Sequence, residues 1–158
     1  MPNISIRQEL VNGLVTQLQT ISQTNGYLTD IASVVKFRQS GRSLANLPQL
    51  LVGFDRETKD IGLNNQYSNF LNLDVTAELI HYDATTDPRS TFEELDDIVS
   101  DIERCIHASS WYRDIGADDM EVTGIFPGPL MDGGDVATVQ VQIQVKYRNK
   151  IGHPDTYV

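Results

Sequence analysis

Apolar residues recur every three or four positions near the start of the chain, at Ile6, Leu10, Val11, Leu14, Val15, Leu18 and Ile21. That spacing predicts an amphipathic helix over about residues 5–22, which Asn3 or Ser5 can cap. Gly13 inside it costs roughly 1 kcal/mol relative to Ala, as expected of a place where the helix approaches the sheet closely. Asn25-Gly26 ends the helix or turns the chain. Residues 31–37 alternate as a strand, with Ile31, Ser33, Val35 and Phe37 on one face. Residues 38–46 have loop composition, and the apolar run 49–54 after Pro48 predicts a strand buried on both faces. Residues 55–69 are polar and read as an extended connection.

A long strand follows over about residues 70–82. Leu71, Leu73, Val75, Ala77 and Leu79 alternate with Asn72, Asp74, Thr76 and Glu78, so one face is apolar and the other wet. Ser90-Thr91-Phe92-Glu93 resembles a capping box and opens a second helix that runs to about residue 108. Phe92, Leu95, Ile98, Val99, Ile102 and Ile106 fall on its core side, and Glu93, Glu94, Asp96, Asp97, Asp101 and Glu103 on its outer side. Two final strands, about residues 120–126 and 136–148, are joined by a long Gly- and Pro-rich tip. This order predicts a single α+β domain: a mostly antiparallel sheet with two main helices packed on one face.

The last strand has an unusual polar face. Val139, Val141, Ile143, Val145 and Tyr147 alternate with Gln140, Gln142, Gln144 and Lys146, so the row is neutral amide until the lysine. Amides donate and accept hydrogen bonds and lose less than charges on burial, which suits a subunit contact as well as a wet face.

Charge and composition remove several function classes. The 158 residues carry a net charge of −10, with both ends slightly basic and the middle strongly acidic. A field of that sign repels nucleic acid and argues against a DNA-binding module. No apolar run is long enough to span a bilayer, and MPNISIRQEL lacks a signal core, so the chain is expected to begin in the cytoplasm. Cys105 stands alone and reads as a small buried hydrophobe.

Catalytic and metal signatures are weak. Residues 131–135, rich in Gly, lack a Walker lysine, and Asp132 and Asp135 would repel phosphate. Residues 55–62 resemble a calcium loop only faintly, because Lys59 fills a ligand position. Asp118 and Asp119 are the best candidates for a metal-dependent enzyme, yet no histidine stands at ligand spacing. His81 reads as a half-core histidine in the register of the long strand. No GxSxG elbow surrounds any serine. The residues therefore point to no cofactor, no bound metal and no catalytic group.

The order of motifs is more informative. IRQELVNGLVTQLQTI leads into Asn25-Gly26-Tyr27, then a Pro48-preceded strand, the long strand NLDVTAELIHY and the helix ELDDIVSDIERCI. The chain closes on VQVQIQVKYRNKIGHP, with Tyr147-Arg148 and Pro154. Across nearly its full length this series resembles the tail terminator (tail-completion, or minor tail) proteins of tailed bacteriophages. The resemblance implies a structural virion protein assembled in the host cytoplasm, which caps the tail tube as a ring, usually a hexamer. It implies contacts with the tail tube protein, a neck or connector protein and, in contractile tails, the sheath. DNA would pass through without specific binding, and no membrane is involved. Another neck or head–tail adaptor protein is the nearest alternative.

A ring needs heterologous contacts between unlike surfaces. The expected subunit interface comprises Gln140, Gln142, Gln144 and Lys146, beside Asp74 and Glu78. Expected contacts with tube or connector are Arg38 and Arg42 in the first loop, and Leu130, Met131, Asp132 and Asp135 at the hairpin tip.

Overall fold

A computed structural model describes residues 4–36, 46–81, 90–108, 110–130 and 132–158. The fold is the expected α+β arrangement, a curled, mostly antiparallel sheet with two main helices. In chain order the elements are α1 (Ile6–Leu18), β1 (Ser33–Lys36), β2 (Gln49–Ile61), β3 (Gln66–Ile80) and α2 (Thr91–His107). Then follow α3 (Trp111–Ile115), β4 (Ala117–Pro127), β5 (Val136–Lys150) and β6 (His153–Tyr157). The strands lie in the order β1-β2-β3-β5-β4, and β6 also pairs with β5. β1 runs parallel to β2, and all other pairs are antiparallel.

β5 is the organising strand. Val139, Val141, Ile143, Val145 and Tyr147 are buried, as are Leu71, Leu73, Val75 and Ala77 on β3. They form one core with Leu10, Leu14 and Leu18 of α1 and Ile98, Ile102 and Ile106 of α2. Each fully buried aliphatic side chain contributes roughly 1.5–3 kcal/mol. Both helices start on good caps. Ser5 accepts from the Gln8 N–H while the Gln8 side chain accepts from the Ser5 N–H, a reciprocal box. Ser90 accepts from the Glu93 N–H, with acids in the first turn of α2 and Arg104 and His107 in the last.

Several expectations are corrected. Residues 55–69 are not a loose connection. β2 continues to Ile61 and turns through Asn64 and Asn65, at φ 62° and 59°, directly into β3. Asparagine tolerates that left-handed geometry better than most residues, and the Gly62 N–H donates to the Gln66 carbonyl across the turn. Asp101 does not face water. It is 0 % exposed, and its carboxylate accepts from the Leu28 and Thr29 N–H groups and the Thr29 hydroxyl. Phe92, placed on the core side by periodicity, is 72 % exposed. His81 lies just past β3 and is exposed rather than half buried, its Nδ1 3.1 Å from the Thr91 hydroxyl.

Gly13 does provide a close approach, but to α3 rather than to the sheet. A Cβ built there would lie 2.6 Å from the Trp111 ring and 2.7 Å from Ile115 Cδ1. On an exposed helix Gly→Ala stabilises by about 1 kcal/mol. Here the overpacking term of roughly 1–3 kcal/mol outweighs it. Gly13→Ala is therefore expected to lower the melting temperature, read by thermal circular dichroism, despite alanine's higher helix propensity.

Candidate functional site

The register between β3 and β5 builds the outer face of the sheet. It sets Asn72 opposite Gln144, Asp74 opposite Gln142 and Thr76 opposite Gln140. The three glutamines are only half exposed. Gln144 donates to the Asn72 side-chain oxygen at 3.2 Å, and Lys146 lies over the Phe70 ring at 5.8 Å. The amide row is thus partly engaged within its own sheet. Glu78 is 2 % exposed and already has a partner, so its carboxylate is withdrawn from any neighbour.

Asp74 is the strained member of this face. One carboxylate oxygen, Oδ1, is buried without a hydrogen-bond partner among the described residues. Burial pushes its pKa up, the nearby Asp55 adds to this, and a hydrogen bond from Gln140 only partly opposes them.

The opposite face carries a polar cluster that the sequence did not reveal. A β-bulge between Phe54 and Arg56 shifts the alternation of β2 and sets Glu57 beside Leu71 on the helix side. The Glu57 side chain is 5 % exposed and accepts from Arg7 Nε, from Lys59 Nζ at 2.7 Å and from the Tyr147 hydroxyl at 2.8 Å. Lys59 also donates to Asn69, which donates to Asn149. Burial alone would raise the Glu57 pKa, but the bonds from Lys59, Tyr147 and Arg7 outweigh it and hold the pKa below its ordinary value. Tyr147 is pushed well above the ordinary tyrosine value, first by burial and then by its bond to Glu57. The cluster locks the start of α1 to the extended half of the sheet.

Several surfaces are open among the described residues. Among the described residues, β4 and residues 53–61 of β2 each have a strand on one side only. The β2–β3 hairpin ends in exposed Ile61 and Leu63, at 79 % and 87 % exposure. A cleft of about 470 Å³ lies between the first half of α1 and the β1–β2 edge.

The expected tip residues are only partly placed. Leu130 and Asp135 are exposed, and the Asp135 carbonyl accepts from the His81 N–H. Asp132 begins a tight turn completed by Gly133 and Gly134 at φ 72° and 98°, which glycine adopts freely. The Asp132 side chain, Met131, Arg38 and Arg42 lie outside the described residues. Asp118 receives two bonds from Arg148, at 3.0 and 3.2 Å, and one from the Tyr157 hydroxyl, tying β6 to the sheet. Asp119 accepts from the Met120 N–H. Among the described residues no three His, Cys, Asp or Glu side chains converge as metal ligands, and no helix is long and apolar enough to cross a membrane.

Glu57 and Asp74 give opposite pH signatures. The lowered pKa of Glu57 contributes stability above its ordinary value of 4.5, lost as pH falls through the folded-state pKa. Glu57→Gln should cost about 1–3 kcal/mol near neutral pH and progressively less in acid. The raised pKa of Asp74 destabilises the fold wherever the group is ionised, and the penalty disappears as pH falls toward 3.8. Asp74→Asn should therefore gain roughly 1 kcal/mol near neutral pH and nothing in acid. Urea unfolding of both variants across pH measures this.

No protein-family model and no curated protein matches this sequence.

Proposed function

We propose that the chain is a ring-forming structural protein of the tail terminator kind, which caps a phage tail tube and presents a surface to the neck. One observation carries this reading: among the described residues the sheet offers two unlike open edges, β4 at one end of its strand order and, at the other, β1 together with the outer half of β2 that runs past it. Open edges seek partners. Two different edges favour head-to-tail contacts, which close into rings when the rotation per subunit divides the circle. The motif order from Asn25-Gly26-Tyr27 to Tyr147-Arg148 supplies the tail terminator part of the proposal.

Other features fit the same role. The exposed apolar tip of the β2–β3 hairpin offers an anchor for a tube subunit. The net charge of −10 suits a ring that DNA must traverse without adhering. The amide row adds hydrogen-bonding capacity without multiplying a charge around the assembly.

Electron micrographs of lysates lacking this chain test the role. A terminator's absence should give overlong tails, and the added protein should restore a uniform length. Tails of normal length that fail to join filled heads would replace this reading with the neck adaptor. Normal, joined tails would remove both.

A further inference from the structure

Phe92 is an apolar side chain of α2 held out in solvent, at 72 % exposure. It stands beside Ile125 and Pro127 of β4, and the exposed carboxylates of Glu93 and Asp96 flank it. A surface of the opposite character lies at the other end of the strand order, against β1 and β2. There a cleft of about 470 Å³ is floored by Ile4, Val11 and Phe54 and rimmed by Arg7 and Lys36. Ile4 and Phe54 remain 43 % and 41 % exposed. The Lys36 ammonium is held by a neutral acceptor, the Asn12 side-chain oxygen at 2.6 Å. Arg7 lies over the Phe54 ring at 5.7 Å with its Nε donating to Glu57, and its side chain stays 40 % exposed, so the remaining guanidinium N–H groups are available at the rim.

The two surfaces complement one another in shape and charge. One is an aromatic knob flanked by acids, and the other an aromatic-floored cleft, roomy enough for a phenyl ring, rimmed by bases. Buried aromatic anchors ringed by polar groups carry most of the energy of protein contacts. Within one chain the knob does not occupy the cleft: Phe92 stands against β4, the cleft lies against β1 and β2, and the two share no lining residue.

We propose that Phe92 of one copy inserts into the cleft between α1 and the β1–β2 edge of a second copy, with Glu93 and Asp96 meeting Lys36 and Arg7. The contact presupposes the self-assembling ring proposed above, and it names the surfaces that make it. It is heterologous, so each copy gives one knob and receives another.

Complementation tests it. Sedimentation velocity on the full chain should show an oligomer for wild type. Phe92→Ala and Lys36→Glu, both exposed changes, should each keep the wild-type melting temperature and weaken association by about thirtyfold or more, as loss of an interface anchor does. Each variant retains one working surface, so an equimolar mixture should form a dimer that grows no further. Adding Asp96→Lys to Lys36→Glu should restore assembly by exchanging the charges. If wild type assembles and both single variants assemble equally well, the contact is wrong, the cleft serves another occupant or none, and the ring reading survives. If the mixture stays monomeric and the charge exchange fails to rescue, the contact is likewise wrong. A wild-type chain that stays monomeric at every concentration would remove the ring reading together with the contact.

Discussion

β3 and β5 pair in unbroken register from Gln66–Lys150 to Ile80–Val136, and the rest of the molecule depends on that ladder. It sets Leu71, Leu73, Val75 and Ala77 on one face with Val139, Val141, Ile143 and Val145, where α1 and α2 cover them. The same register puts asparagine, aspartate and threonine beside glutamines on the other face. A slip of one residue would drive the glutamines into the core and the valines into water. Stability and surface chemistry are thus set by one alternation. β2 with β1 on one side and β4 on the other extend the ladder outward, and among the described residues they leave the sheet with two different edges.

Two buried polar clusters sit where the apolar pattern is interrupted, one around Glu57 and one around Asp101. The bulge beside Phe54 turns Glu57 and Lys59 inward, and Arg7, Tyr147 and Asn69 satisfy them. Asp101 sits within the apolar stripe of α2 because the Leu28–Thr29 segment needs an acceptor for two N–H groups. A buried carboxylate is tolerable only with such bonds. Among the described residues Asp74 departs from this, with one carboxylate oxygen buried and without a hydrogen-bond partner.

What the sequence made legible follows from length of pattern. α1, α2, β3 and β5 each carry more than two cycles of their period, and periodicity locates all four, although α1 ends at Leu18 rather than near residue 22 and β3 begins at Gln66 rather than near residue 70. The outer half of β2 was hidden because its bulge breaks the alternation and Glu57 and Lys59 are charged. Asn64-Asn65 was the available signal of a turn there. α3 spans only Trp111–Ile115, too short for any period to show. At the candidate site, periodicity assigned Phe92 to the core because it is apolar and Asp101 to solvent because it is charged, and tertiary packing reverses both. The amide row was legible, but its mutual engagement with Asn72 and Asp74 required the register. The importance of the cleft beside α1 depends on residues far apart in sequence, from Ile4 to Phe54.

The proposed head-to-tail contact rests on the open edges, the apolar hairpin tip and the knob and cleft at opposite ends of the strand order. Closure is the central claim, and native mass spectrometry of the full-length chain tests it most directly. The account predicts one dominant mass at a fixed integer multiple of the 17.7 kDa chain, unchanged on dilution until it dissociates. A monomer at every concentration, or an open ladder of masses that lengthens with concentration, would contradict it.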